Sequence, residues 1–277
     1  MLFRTTVDIP RPSWQISPCE RMLFVGSCFA DNMGKRFTEE KFRTLVNPFG
    51  VMYNPVSILH TVNRLAAGGT LPFAAGEPAT AVFTLGTNHV YRLKSTGMIV
   101  DNCQKRPQQL FQEEELTIEQ CAEAISQSVA VIRTAFPDTR FLLTVSPIRY
   151  RKYSYHGSQL SKATLLLAVD SVIKQAEDPR IAYFPSYEIV NDELRDYRFY
   201  QEDMLHPSMQ AVSYIFERLA DAYFSPATQQ FLQRWKPIRE AFAHRPFHPE
   251  SEAYQMFLVK TRQQYEALKK DYPMMEE

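Results

Sequence analysis

The chain has 277 residues, 45% of them hydrophobic and 22% charged, with 31 basic side chains against 31 acidic ones. That neutral, ordinary globular composition argues against a polyanion-binding or membrane-surface role as the main job. The longest apolar run, residues 165–169, is far too short to span a bilayer.

The length suits one large α/β domain with appendages, or two small ones. The amino terminus mixes Arg4, Asp8, Arg11 and two prolines and has no apolar signal core, so a cytoplasmic location is expected. The four cysteines, Cys19, Cys28, Cys103 and Cys121, form no Cys-x-x-Cys pair. They are expected as reduced thiols, with neither a disulfide framework nor a metal site.

Apolar residues 22–25 read as a first, buried strand. Gly26-Ser27-Cys28-Phe29-Ala30 follows, then Phe29, Met33 and Phe37 recur every four residues, with a first helix over 31–41. Residues 42–46 read as a second strand ending in Asn47-Pro48-Phe49-Gly50, and Ile58, Leu59, Val62 and Leu65 mark a short helix. The glycines and prolines of 68–78 mark a loop. Residues 81–85 form the third strand, ended by Gly86-Thr87-Asn88, and the acidic run Glu113-Glu114-Glu115 reads as the negative start of a helix over 117–136. Residues 141–145, 161–174, 181–184 and 208–224 give a fourth strand, a helix, a fifth strand and the last helix of the unit.

Strand–helix alternation of this kind predicts a parallel sheet covered on both faces. After Pro226 the alternation stops. Phe231, Trp235, Ile238 and Phe242 share one helical face, and Tyr254, Phe257, Leu258, Tyr265 and Leu268 share another, with Pro237 a kink or restart. The tail, 225–277, is therefore expected as a helical extension to a domain over 1–224. It packs on that domain or joins a second copy in a homodimer.

The chemistry is read from the Gly-Ser turn between the first strand and helix. Open α/β sheets bind ligands at the carboxyl ends of their strands, and a helix start presents free N–H groups there. Ser27 is the candidate nucleophile. Its rivals are a plain helix cap, a role serine fills well, and the neighbouring thiol of Cys28, which a helix start activates. Cys28 is expected to point into the core. A serine needs a base, and Asp203-Met204-Leu205-His206 supplies one: a carboxylate three residues ahead can hold Nδ1 and leave Nε2 free. The run from Arg149 to Tyr153 reads as a solvated loop at the end of the fourth strand.

Gly-x-Ser-x-Gly elbows are absent, which removes the α/β-hydrolase pattern. Ser27, Gly50, Gly86-Thr87-Asn88 and Asp203/His206 occur in the order of the SGNH (GDSL-like) hydrolases, which the chain resembles. More closely it resembles the GSCFA family, whose name is spelled by residues 26–30. Further stretches carry that resemblance: Asn47-Pro48-Phe49-Gly50 with Tyr53-Asn54-Pro55, Thr144-Val145-Ser146-Pro147, Ser161-Lys162-Ala163, and Pro185-Ser186-Tyr187-Glu188 running on to Asp203-Met204-Leu205-His206-Pro207. The C-terminal helices lie outside it. Against the family pattern, the stretch before the third strand is short, which bears on the substrate pocket.

The resemblance implies a flavodoxin-like five-stranded parallel sheet between helices and a serine esterase acting on a small acyl ester, such as an acetylated carbohydrate or metabolite. Ser27 would attack, His206 would shuttle the proton and Asp203 would orient it. The N–H groups of Ser27 and Gly50 and the Asn88 amide would bind the oxyanion. His89, His156 and Tyr53 are the candidate substrate-binding residues. No cofactor, nucleic acid or membrane partner is expected. Transfer of the acyl group to another alcohol, or a non-catalytic binding module on the same fold, are the alternatives.

Overall fold

The computed structural model describes residues 4–276. Five strands form one parallel sheet: β1 (Arg21–Gly26), β2 (Arg43–Val46), β3 (Ala79–Leu85), then β7 (Arg140–Val145) and β8 (Ile181–Tyr183), in the order β2-β1-β3-β7-β8. Counting only these strands the order is 2-1-3-4-5, the flavodoxin-like arrangement. Phe24, Val82 and Leu142 face one core, with α1 (Cys28–Glu39) and α6 (Met209–Tyr223) packed on it. Leu23, Val25, Phe83, Leu143 and Val145 face the other, under α2 (Pro55–Ala67), α3 (Ile118–Ala135) and α4 (Ser154–Ala176). Both faces are covered, which is why the strands are continuous apolar runs rather than alternating ones.

The strands after β3 differ from expectation. β4 (His89–Leu93), β5 (Ile99–Val100) and β6 (Phe111–Glu115) make a separate antiparallel sheet in the order β5-β4-β6. The acidic run is thus a strand, not a helix start. Its charges are met across the ladder: the Tyr91 hydroxyl donates to Glu113 at 3.0 Å, and Arg92 forms an ion pair with Glu114 at 3.0 Å. Helix α3 starts where the sequence places it, at Ile118 behind its cap Thr117, whose hydroxyl and the Gln120 side chain close a capping box. Two other helices start earlier than read. α1 begins at Cys28, capped by Ser27, and α4 at Ser154, so His156 lies in its first turn.

The chain continues past β8 through a short helix, α5 (Ser186–Glu188), to α6 and then α7 (Pro226–Ala243) and α8 (Glu252–Asp271). Pro237 sits inside α7 without ending it. Phe231, Trp235 and Leu268 close a small core around Cys19, and the Trp235 indole donates to the Glu39 carbonyl at 2.9 Å. The tail therefore packs on the far end of α1. Among the described residues no helix is long and apolar enough to cross a membrane.

Candidate active site

The turn between β1 and α1 is pressed against β3. Gly26 has φ of 149°, and a Cβ there would stand 2.2 Å from the Thr84 carbonyl oxygen. Only glycine allows that approach. Asn47, buried at the end of β2, accepts the Gly26 N–H at 2.9 Å and donates to Asp31 at 2.6 Å. The Asn47-Pro48-Phe49-Gly50 motif thus braces the turn from the other side.

Ser27 and Cys28 divide the turn between them. Ser27 is fully enclosed: its Oγ lies 3.1 Å from Thr84 Oγ1 and accepts the Phe29 N–H at 3.2 Å. Its hydroxyl caps α1. Cys28, the first helical residue, is half-buried, with Sγ 3.7 Å from the hydroxyl of exposed Tyr53. Cys28 is the less enclosed of the two, and it too packs against the core that holds Phe24 and Phe29. A helix start brings this about: the cap residue turns its side chain back over the first turn, and the next residue points away from the sheet. Burial first, then the Cys28 thiol, pushes the Tyr53 phenol up to about 12.

Two of the three expected oxyanion donors are engaged elsewhere, and the third is engaged in part. The Ser27 N–H donates to the Thr84 carbonyl at 3.0 Å, and the Gly50 N–H donates to the Asn47 carbonyl at 2.8 Å. Gly50 is exposed, and its φ of 90° favours glycine. Asn88 is buried, and its amide donates to the Leu116 carbonyl at 2.9 Å, tying β3 to the end of β6. The N–H of Cys28, by contrast, has no acceptor among the described residues.

Asp203 and His206 do come together. Asp203 Oδ2 lies 2.5 Å from His206 Nδ1, while Oδ1 accepts the N–H groups of Leu205 and His206 at 2.8 and 3.0 Å. The backbone N–H of His206, its ring and the Leu205 N–H hold the carboxyl down at about 2. Nε2 is left without a partner among the described residues, and no hydrogen bond joins His206 to Ser27 or Cys28. The two halves meet through a relay of contacts instead. The Arg149 N–H donates to the Leu205 carbonyl at 3.1 Å, and its guanidinium to the Met204 carbonyl at 3.0 Å. The next residue, Tyr150, packs edge-on against Tyr53 at 5.9 Å between ring centroids. The Arg149-to-Tyr153 run is thus the bridge between base and turn.

Of the remaining candidates, His89 touches the end of that bridge and His156 does not. His89 is buried and stacked on Tyr153, 3.6 Å between centroids, with Glu113 at 3.4 Å; burial first pushes its imidazolium down. His156 is exposed on α4. Sequence reasoning missed Thr84, Tyr150 and Lys162. Lys162 is fully buried and donates to the carbonyls of Gly86 and Ser146 at 2.6 and 2.7 Å, beneath the Tyr150 ring.

Comparison with known proteins settles the family. The GSCFA family model matches residues 21–72 and 74–219. The chain belongs to the GSCFA family. A second model, the C-terminal domain of GSCFA domain proteins, matches residues 235–276. The tail of this GSCFA chain is therefore a recognised family domain and not a segment outside the resemblance. No curated protein matches the chain. Among solved structures it is similar to a member of the lipolytic G-D-S-L family from Veillonella parvula, at 9% identity and TM-score 0.48, over 74% of this chain and 98% of that one. It is also similar to a GDSL-like lipase from Bacteroides thetaiotaomicron, at 14% identity and TM-score 0.43, over 73% and 86%. A third is a carbohydrate esterase family 2 enzyme with its carbohydrate binding domain from Corynascus thermopiles (Myceliophthora fergusii), at 14% and 0.48, over 75% and 66%.

Proposed function

We propose that this GSCFA protein is an acyl-ester hydrolase whose nucleophile stands on the turn between β1 and α1 and is the thiol of Cys28. One observation carries the reading: Ser27 is enclosed as the cap of α1, while Cys28 is only half-buried, with Sγ beside the Tyr53 hydroxyl and its N–H without an acceptor among the described residues. That N–H supplies an oxyanion donor at the atom where charge would develop. The Asp203–His206 pair supports the other half, because a bound carboxylate fixes the tautomer that leaves Nε2 as a base.

In this mechanism His206 Nε2 takes the thiol proton as Sγ bonds to the ester carbonyl carbon. The C–O bond to the alcohol then breaks, and the proton passes to the leaving oxygen. Water, deprotonated by His206, attacks the thioester and releases the acid and the thiol. The substrate class is a small acyl ester such as an acetylated carbohydrate or metabolite, in keeping with the family resemblance. An enclosed Ser27 leaves the acyl-serine route without an exposed hydroxyl.

Purified protein incubated with p-nitrophenyl acetate tests this directly by peptide mass mapping. Wild type should carry an acetyl group on Cys28. Cys28→Ala should lose that adduct and about 10³-fold or more of turnover, and His206→Ala about 10²–10⁴-fold. An acetyl group on Ser27 would return the nucleophile to serine. Folded protein that acquires no adduct and turns over no ester would end the hydrolase reading.

A further inference from the structure

A cavity of about 240 Å³ adjoins the loop that carries Asp203 and His206. Arg149, after β7, forms one wall, and Arg195 and Tyr200, after α5, form others. Tyr200 pairs with Pro207 in an antiparallel bridge, and the Gln201 N–H donates to the His206 carbonyl at 2.7 Å. One wall of the cavity and the base thus belong to the same folded-back loop.

The walls carry more positive charge than they neutralise. The Arg149 guanidinium lies 4.4 Å from the Tyr155 ring centroid, 5.5 Å from that of Tyr200 and 5.8 Å from that of Tyr197. One Nη donates to the Met204 carbonyl at 3.0 Å, and its Nε and other Nη have no hydrogen-bond partner among the described residues. Neither Arg149 nor Arg195 has a carboxylate partner among those residues. The carboxylate in the wall, Asp196, is taken by Arg198, whose N–H donates to it at 2.8 Å and whose Nε stands 3.1 Å away. A guanidinium held by aromatic rings keeps its edge for a ligand, and that edge matches a carboxylate or phosphate.

We infer that this cavity is a binding site for a sugar-sized molecule carrying an acid group, a carboxylate or a phosphate. The inference concerns recognition and holds independently of the hydrolase chemistry proposed above. The volume lies below the roughly 300–1,000 Å³ of pockets for drug-sized ligands, which leaves room for one small ring. Two amides line it. Gln159 accepts the Tyr187 hydroxyl and keeps its NH₂, while Asn191 donates to the Tyr187 carbonyl at 2.8 Å and keeps its oxygen. A spare donor and a spare acceptor suit hydroxyl groups, which play both roles. Tyr197, 64% exposed, offers an open ring face to the apolar side of such a ring.

Calorimetric titration of the full chain with glucuronate, glucose 6-phosphate and glucose tests this. At least one of the two acids should bind about tenfold or more tightly than glucose. Tight binding of glucuronate alone would identify a carboxylate site, and of glucose 6-phosphate alone a phosphate site. Arg195→Gln removes an exposed charge that bonds to nothing in the fold and should abolish the advantage of the acid. Arg149→Lys keeps the charge but loses the fork, and should weaken the acid about tenfold with glucose unchanged. Acids that bind folded protein no better than glucose would overturn the inference. An acid affinity unchanged in either folded variant would place the anion elsewhere and overturn it too. No ester turnover is read, so both failures leave the hydrolase reading standing.

Discussion

Two charges lie buried at opposite ends of the same sheet, and they are housed differently. Glu20, just ahead of β1, accepts the Thr80 hydroxyl at 2.6 Å and the Ser17 N–H at 2.9 Å and pairs with Arg140 at 2.6 Å. Lys162, at the ends of β3 and β7, has two backbone carbonyls and an aromatic face but no carboxylate. The amino end of the sheet is closed by an ion pair. The carboxyl end keeps an uncompensated cation beside the Tyr150 hydroxyl, buried with no hydrogen-bond partner among the described residues, and a free helix N–H. The contrast separates an end built for cohesion from one built to meet something else.

Substitutions at the two ends should therefore read differently. Burial pushes the Lys162 ammonium down to about 7, against roughly 10.4 in an unfolded chain. Between those values the unfolded state holds one proton more, so stability rises with pH by about 1.4 kcal/mol per unit, reaching about 4 kcal/mol by pH 10. The penalty is fully present below pH 7. In Lys162→Met that slope should vanish, as urea unfolding at pH 7, 8.5 and 10 would record; an unchanged slope would mean the ammonium is not the buried group that titrates. At the other end, Glu20→Ala removes the carboxylate that pairs with Arg140 and should cost about 3 kcal/mol at pH 7 while leaving Cys28 alkylation by iodoacetamide untouched. If alkylation also fell, the two ends would be coupled and the contrast would blur. The smallest effect belongs to Ser27→Ala, about 1 kcal/mol for a lost helix cap with ester turnover kept. Turnover lost with the fold intact would make Ser27 more than a cap.

The parallel sheet is legible in the sequence because its strands are buried on both faces and read as unbroken apolar runs. The β4–β5–β6 sheet is not, because Glu113 and Glu114 are stabilised by Tyr91 and Arg92 across a ladder, and a run of glutamates alone favours a helix start. Asp203 and His206 are legible because they lie three residues apart on one loop. The directions of Ser27 and Cys28 are not: one residue of difference at a helix start decides which side chain turns inward, and the Thr84 hydroxyl that receives Ser27 comes from another strand. Tyr150 reads only as part of a mixed cationic and aromatic run, since the neighbours that isolate its hydroxyl, Gly86 and Tyr53, are far away in the chain. Lys162 sits among polar residues on a helix, where exposure is the ordinary expectation.

Helix α1 has a different owner at each end. Its first residue is Cys28, and its last turn is gripped by the tail, through Trp235 on the Glu39 carbonyl and Arg239 on Glu40. Twelve residues at 1.5 Å each make a strut about 18 Å long between them. A chain shortened to Phe224 would keep every residue of the turn and lose the anchor that fixes the strut's angle. The family's C-terminal domain is in this sense the footing of the thiol it never touches.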